Sequence, residues 1–415
     1  MSEAREKAVR AKQAARRTGK LTTEQKNAAL RLMADALIEE QASIIAANET
    51  DLRRGRENGL SVALLDRLKL NEQRIAAMAE GLMQIIELPD PIGDILESFE
   101  RPNGLRIQKV RVPIGVVGMI YEARPNVTVD AAGLCLKTGN AVVLRGGSSA
   151  LFSNRRIVEV LHAALEKSEI PKDAVQLIES ADRSSVDEMM KLNGLLDVII
   201  PRGGASLIQN VVQNSTVPVI ETGAGICHTY IDDEAIKEMA FDIVLNAKVQ
   251  RPSVCNAMET LLVHHNFAEK HLKELAERFR EAGVELRGCE KSRRLVPWMN
   301  EADESDWSTE YNDYILSVKT VADLDEALEH IERYGTMHSE CIVTENVQRA
   351  RRFLNEVDAA AVYHNASTRF TDGFEFGFGA EIGISTQKLH ARGPMGLPAL
   401  TSTKYIIFGS GQTRQ

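Results

Sequence analysis

The segment Gly115-Val-Val-Gly-Met-Ile-Tyr121 decides the fold. It is a continuous apolar run of strand length. A helix over Val127 to Lys137, ended by Gly139, follows it. Ala141 to Leu144 is a second apolar run, opening into Gly146-Gly147-Ser148-Ser149 and a helix to Glu169. The series continues with a strand over Val175 to Ile178, a helix over Ser184 to Leu192 and a strand over Val198 to Ile200. It closes with a helix from Gly203-Gly204 to Gln213 and a strand over Val217 to Ile220. Short apolar strands alternating with helices predict a parallel, doubly wound sheet covered on both faces. Ligands on such sheets sit at the carboxyl ends of the strands.

Upstream, helical spacing runs over Thr23 to Asn48 and Asn71 to Leu88, closed by Pro89 and Pro91. Gly104 to Val112 alternates polar and apolar residues, as an exposed hairpin arm does. After Glu221 a second α/β series begins. It has strands at Thr229 to Ile231, Thr260 to Val263, Ile315 to Val318, Cys341 to Val343 and Ala359 to Tyr363, and helices between them. A Gly-rich stretch (Gly373 to Gly396) leads to a last apolar strand, Tyr405 to Phe408. The expected fold class is α/β: two doubly wound α/β domains plus a small β-flap. The expected boundaries are 1–98 with 113–225, then 226–385, with the flap from 99–112 and 395–415.

The chain has 415 residues and a formal charge of −9, from 50 Lys+Arg against 59 Asp+Glu. This composition is that of a globular protein with a sizeable core. The acidic balance argues against a general nucleic-acid binder, and no apolar run approaches the ~20 residues that span a bilayer. Five cysteines without a CxxC pattern predict reduced, mostly buried thiols of a cytoplasmic protein. No Cys/His cluster has zinc spacing, so no metal is expected. His264 and His265 are expected to diverge on a strand. The Arg- and Ala-rich start reads as a folded amphipathic helix rather than a presequence, because apolar spacing continues into Leu30, Met33 and Leu37.

Three stretches carry chemistry. In Val249-Gln-Arg-Pro-Ser-Val-Cys255-Asn256, Pro252 forces an extended turn after a helix. A thiol in such a turn is a candidate nucleophile, since the thiolate is the reacting form; a cysteine taken alone is more often inert. In Val219-Ile-Glu221-Thr-Gly223-Ala-Gly225, a carboxylate ends an apolar strand and glycines admit close backbone approach. A solvated strand-end acid reads the same way. In Ile120-Tyr121-Glu122-Ala123-Arg124-Pro125-Asn126 the alternative is a plain turn. Asn126, Arg145, Arg202 and Glu221 would share one edge of one sheet, which raises each above its separate reading.

Together these residues resemble the aldehyde dehydrogenase superfamily, in which a glutamate precedes the cysteine by an interval like the 34 residues from Glu221 to Cys255. Within it the chain is similar to the acyl-phosphate reductases of proline biosynthesis. The stretches that carry this are Tyr121-Glu-Ala-Arg-Pro-Asn-Val-Thr-Val-Asp-Ala131, Glu221-Thr-Gly-Ala-Gly-Ile-Cys-His228 and Gln387-Lys-Leu-His-Ala-Arg-Gly-Pro-Met-Gly-Leu397. So do Val321, Ala327-Leu328, His330-Ile331, Tyr334-Gly335-Thr336-Met337-His338-Ser339-Glu340 and Ile342. The resemblance covers nearly the whole chain.

It implies NADPH-dependent reduction of L-glutamyl 5-phosphate to L-glutamate 5-semialdehyde through a Cys255 thioester, with Asn126 as oxyanion donor and Glu221 as a catalytic acid–base or positioning group. It implies a Rossmann-like cofactor domain in the first two segments and the catalytic domain in 226–385. By family position Arg145, Gly146, Gly147, Ser148, Arg202, Gly203 and Gly204 surround the cofactor ribose and pyrophosphate. Two arginines and a serine in place of an acidic residue imply NADPH. Glu310 matches the nicotinamide-ribose glutamate. The charges of the substrate point to Arg124, Arg251, His228, His338, His390 and Arg392, each equally compatible with a core histidine or a structural ion pair. A homo-oligomer (dimer or tetramer) and transient association with glutamate 5-kinase are also expected. An ordinary aldehyde oxidoreductase that hydrolyses its thioester, and a non-catalytic binding member, are the competing readings.

Overall fold

The computed structural model describes residues 2–414, apart from the side chains of Val62 and Ala63. The chain forms two units. One holds the chain up to Glu221, Gly377–Gly383 and the segment from Met395; the other holds Thr222–Phe376 and Ile384–Pro394.

The first unit opens with helices α1 (Glu3–Thr18), α2 (Thr23–Glu39), α3 (Gln41–Glu57), α4 (Val62–Leu68) and α5 (Glu72–Glu87). Ala4, Ala8, Ala11 and Ala14 form the buried stripe of α1. A capping box between Thr22 and Gln25 starts α2. The single helix expected over 23–48 is broken at Glu40. Its N–H closes α2 on Ala36, while its carbonyl accepts from Ser43 and Ile44 and opens α3. The arm is a hairpin of β1 (Ile95–Glu100) and β2 (Arg106–Pro113), so it begins before residue 99. Thr401–Phe408 pairs antiparallel with β2 to complete a three-stranded sheet.

The alternating series then gives β3 (Val116–Tyr121), α6 (Asn126–Lys137), β4 (Ala141–Arg145), α7 (Leu151–Leu165), β5 (Val175–Leu177), α8 (Ser184–Met189), β6 (Val198–Arg202) and α9 (Ala205–Asn214). The sheet is parallel, in the order β5-β4-β3-β6. The strand expected over Val217 to Ile220 is reduced to a bridge between Val219 and Ile199. Pro218 has no N–H to give the ladder. Only its carbonyl accepts, from Ile199, before Ile220 donates back to Ile199.

In the second unit, β7 (Cys227–Ile231), α10 (Lys237–Val249), β8 (Met258–His264), α11 (His265–Glu281), β9 (Glu285–Gly288), α12 (Glu290–Leu295) and β10 (Asn300–Glu301) come first. They are followed by β11 (Ile315–Val321), α13 (Leu324–Tyr334), β12 (Ser339–Val343), α14 (Val347–Glu356) and β13 (Ala361–His364). The parallel sheet runs β10-β9-β11-β8-β7-β12-β13. Phe241, Leu272 and Phe279 belong to one core cluster, Leu324, Ile331 and Phe353 to another. His264 and His265 do not diverge: their rings stack with centroids 4.5 Å apart. The strand ends at His264 and α11 starts at His265, so the alternation of strand side chains stops between them.

Candidate functional site

In the first unit, the parallel register brings the carboxyl ends of β3, β4 and β6 side by side. Asn126 is the exposed first residue of α6, and its Nδ2 donates to Asp130 Oδ2 at 3.0 Å. Burial pushes the Asp130 carboxyl up to about 6, against the opposing pull of Asn126 and the charge of Arg202. Glu122 joins two of the loops. Its N–H donates to the Arg202 carbonyl, and its Oε1 accepts from Gly204 N–H at 3.1 Å. A Cβ on Gly203 would fall 2.6 Å from the Glu122 carboxyl carbon. An acidic side chain therefore already lies at the amino end of α9, where the helix dipole favours an anion. Ser148 is exposed at the turn after β4.

Arg145 stands apart from the family expectation. It is buried, and its guanidinium is committed to the carbonyls of Gly146 (3.0 Å), Ala181 (3.2 Å) and Asp182 (3.3 Å) and to Ser185 Oγ (3.4 Å). It braces the loop after β4, with donors spent on backbone. Arg202 is half-buried at the end of β6. Glu221, also half-buried, ends the first segment of this unit.

In the second unit, Cys255 lies on the loop between α10 and β8 and is part-exposed. Contacts on several sides hold that loop. Cys227 Sγ donates to the Cys255 carbonyl at 3.2 Å. The buried Asn256 gives its amide to the carbonyls of Arg369 (3.2 Å) and Thr371 (2.9 Å), and its own carbonyl accepts from Thr368 Oγ1 at 2.8 Å. Lys248 at the end of α10 pairs with Glu259 of β8 at 2.6 Å, both wholly buried. Glu259 also accepts from Asn312 N–H, and Glu310 accepts from Gly225 N–H at 2.9 Å. Burial holds the Cys227 thiol far above its ordinary value, so it stays a neutral S–H donor. The other buried thiols, Cys135 and Cys341, are likewise pushed up by burial. Cys255 and Cys289 are the part-exposed pair.

The six residues assigned to the substrate's charges stand in different surroundings. Arg251 is exposed, four residues before Cys255. Wholly buried His228 is bound to Glu340, with Nδ1 3.0 Å from the carboxylate and the ring edge-on to His330. The core position implies a structural role. His338 is also wholly buried, its Nδ1 2.8 Å from Ser339 Oγ. His390 and Arg392 lie on an exposed loop, where Arg392 pairs with Asp358 at 2.7 Å. Arg124 follows β3 and is half-buried. Three residues of evident local importance were given no role by the sequence reading: Glu122 and Cys227, though both lie in quoted motifs, and Arg369. Glu122 has a signal, an acid directly after an apolar strand. Cys227 is signalled only by its place in the Glu221–His228 motif, and Arg369 by nothing, because its neighbours are distant in sequence.

Comparison with known proteins closes the question of class. The Aldehyde dehydrogenase family profile matches residues 1–306. The gamma-glutamyl phosphate reductase of Moorella thermoacetica is 62% identical over 413 residues, covering all of this chain and 99% of its own. That of Halalkalibacterium halodurans is 59% identical over 416 residues, covering both chains completely. The crystal structure of the Thermotoga maritima gamma-glutamyl phosphate reductase superposes with a TM-score of 0.98 at 50% identity, covering both chains completely. The chain belongs to the aldehyde dehydrogenase family, and within it to the gamma-glutamyl phosphate reductases. Among the described residues, no helix is long and apolar enough to cross a membrane, and no group of three or more His, Cys, Asp or Glu is placed to hold a metal ion.

Proposed function

We propose that this protein reduces L-glutamyl 5-phosphate to L-glutamate 5-semialdehyde with NADPH, releasing phosphate, as the second step of proline biosynthesis from glutamate. The observation that carries the reading is the Cys255 loop: a part-exposed thiol on a firmly anchored turn, in a chain similar over its full length to gamma-glutamyl phosphate reductases.

The Cys255 thiolate attacks the acyl carbonyl, and the bonding pair to oxygen leaves with phosphate. The resulting thioester is a far better hydride acceptor than a carboxylate. Bound NADPH supplies the hydride. Collapse of the thiohemiacetal frees the aldehyde and regenerates the thiol. The Asn126 amide and the Cys255 N–H are the oxyanion donors the family implies, and removing one such donor costs about 10²–10³ in rate. Glu221 deprotonates Cys255 or positions the nicotinamide.

The residues fit a dinucleotide. The start of α9 suits a pyrophosphate, which would take the Gly204 N–H in place of the Glu122 carboxylate that accepts from it here. Gly203, Gly204, Arg202, Gly146, Gly147 and Ser148 would hold the cofactor's adenosine side, with Arg145 shaping the loop, and Glu310 its nicotinamide ribose. With Arg145 spent on carbonyls, the preference for NADPH rests on Arg202 and the absence of an acidic residue at Ser148. Arg124, Arg251, His390 and Arg392 are the remaining substrate contacts, while buried His228 and His338 are structural. The first unit reads as the cofactor domain carrying the flap, made of the β1–β2 hairpin and the final strand, and the second as the catalytic domain. The apolar surface of the flap, which includes Phe99, Tyr405, Ile407 and Phe408, suits a homo-oligomer contact. A cytoplasmic location and transient association with glutamate 5-kinase complete the reading.

The test runs the reaction backwards. NADP⁺ reduction with glutamate semialdehyde is expected to require inorganic phosphate. Phosphate-independent reduction would instead identify a dehydrogenase that hydrolyses its thioester.

A further inference from the structure

Two guanidinium groups flank the Cys255 loop. Arg251 lies within it, exposed. Arg369 arrives from a short 3₁₀ turn, Thr368–Phe370, over a hundred residues later. It is tied to the same loop twice: its carbonyl accepts from Asn256 Nδ2 at 3.2 Å, and its Nε donates to Gln250 Oε1 at 2.9 Å. The side chain is half-buried, and its electrostatic neighbours are Arg251, Asp372, Cys255 and Cys227. Asp372 accepts from Phe374 N–H rather than from the guanidinium. Neither arginine forms an ion pair with a carboxylate among the described residues.

This arrangement is costly without a ligand. Burial and the charge of Arg251 both pull Arg369 below the ordinary guanidinium value. Arginines placed for stability alone are normally matched to carboxylates, as Arg349 is to Asp232 at 2.9 Å. Two like charges held beside a nucleophile, with only Asp372 near Arg369 and no carboxylate among the described residues hydrogen-bonded to either guanidinium, suit a phosphate anion.

We propose that Arg369, with Arg251, forms the subsite for the phosphate that leaves when the acyl phosphate is attacked by Cys255. The inference rests on the reductase reading above. The S–C bond forms at Cys255, the C–O bond to phosphate breaks, and the electron pair departs on inorganic phosphate. The two arginines take up that developing charge. No oxidant or other co-reactant is needed. The subsite would favour an acyl phosphate over an unactivated acid, since an unphosphorylated carboxylate leaves both guanidiniums without their partner.

The test varies inorganic phosphate in the reverse reaction, with glutamate semialdehyde and NADP⁺ held saturating. Arg369→Gln is expected to raise the KM for phosphate about 10- to 100-fold, the loss of one charge-assisted contact. The KM for NADP⁺ is expected to stay unchanged, and Arg369→Lys to recover part of the phosphate affinity. An unchanged phosphate KM in Arg369→Gln overturns the proposal. Should that variant turn over too slowly to measure, inactivation of Cys255 by iodoacetate relative to iodoacetamide decides. The ratio falls if Arg369 faces an anion subsite at the thiol, and an equal ratio in wild type and variant overturns it. Phosphate-independent turnover by the wild type counts against the reductase reading, and the alkylation ratio then still decides whether Arg369 serves an anion at Cys255.

Discussion

A side chain at position 225 would overlap the carbonyl oxygen of Cys255, so Gly225 and Cys255 are in direct backbone contact. The glycine motif after Glu221 thus shapes the bed on which the nucleophile's peptide lies. Cys227, two residues on, donates its S–H to that same carbonyl. Glu310 holds the Gly225 N–H from another direction. The position of the sulfur is set by these backbone contacts as much as by its own loop.

Gly225→Ala should therefore displace the Cys255 peptide without unfolding the sheet. A shift of about 1 Å at a reacting centre costs on the order of 10² in rate. The expected result is a kcat lower by that factor with cofactor affinity retained, read by steady-state kinetics and cofactor titration. A wild-type kcat would show that the contact has no bearing on chemistry.

Thiol accessibility gives a second outcome. Cys135, Cys227 and Cys341 are buried, with their ionisation suppressed by desolvation. Native protein treated with iodoacetamide should be modified at Cys255 and Cys289 only, as mapped by peptide mass spectrometry. Modification of Cys227 at a comparable rate would contradict the buried donor described above.

The Lys248–Glu259 pair joins the helix before the Cys255 loop to the strand after it, with both partners fully buried. Removing one partner strands a charge, so Lys248→Met is expected to cost about 3–5 kcal/mol in denaturant unfolding. The double change Lys248→Met with Glu259→Leu should recover most of that loss. Equal destabilisation by the single and double changes would mean the two side chains are not coupled.

Asp130 provides the pH dependence. Its carboxyl is held up at about 6 by burial, against an ordinary 3.8. The folded state therefore binds the proton more tightly than the unfolded chain. That contribution is fully present below pH ~4 and is lost as pH rises through about 6. The stability of Asp130→Asn relative to wild type should accordingly improve by about 2 kcal/mol between those limits and level off at about 3 kcal/mol above them. Urea unfolding at a series of pH values measures it, and a flat difference would contradict the assignment.

Much of the fold was readable because it depends on local pattern. The runs at 116–121, 141–145 and 198–202 are apolar on both faces, and only a parallel sheet covered twice accommodates them. What escaped was decided by single contacts. The break at Glu40 needs no Gly or Pro, since one residue closes one helix and opens the next. Pro218 demoted a strand-like run to a bridge. At the candidate site, Cys255, Gly225 and Asn126 belong to motifs that are contiguous in sequence. Arg369 reaches the cysteine loop through a tertiary contact with Asn256, and Arg145 turned inward because nearby carbonyls needed donors. Composition and spacing contain no record of either.

The most direct measurement of the central claim is the turnover of Cys255→Ala in the phosphate-dependent reverse assay, with folding confirmed by circular dichroism. Loss of activity by about 10⁴ or more is expected when the covalent nucleophile is removed. Turnover within tenfold of wild type would show that the acyl group is never carried on this sulfur.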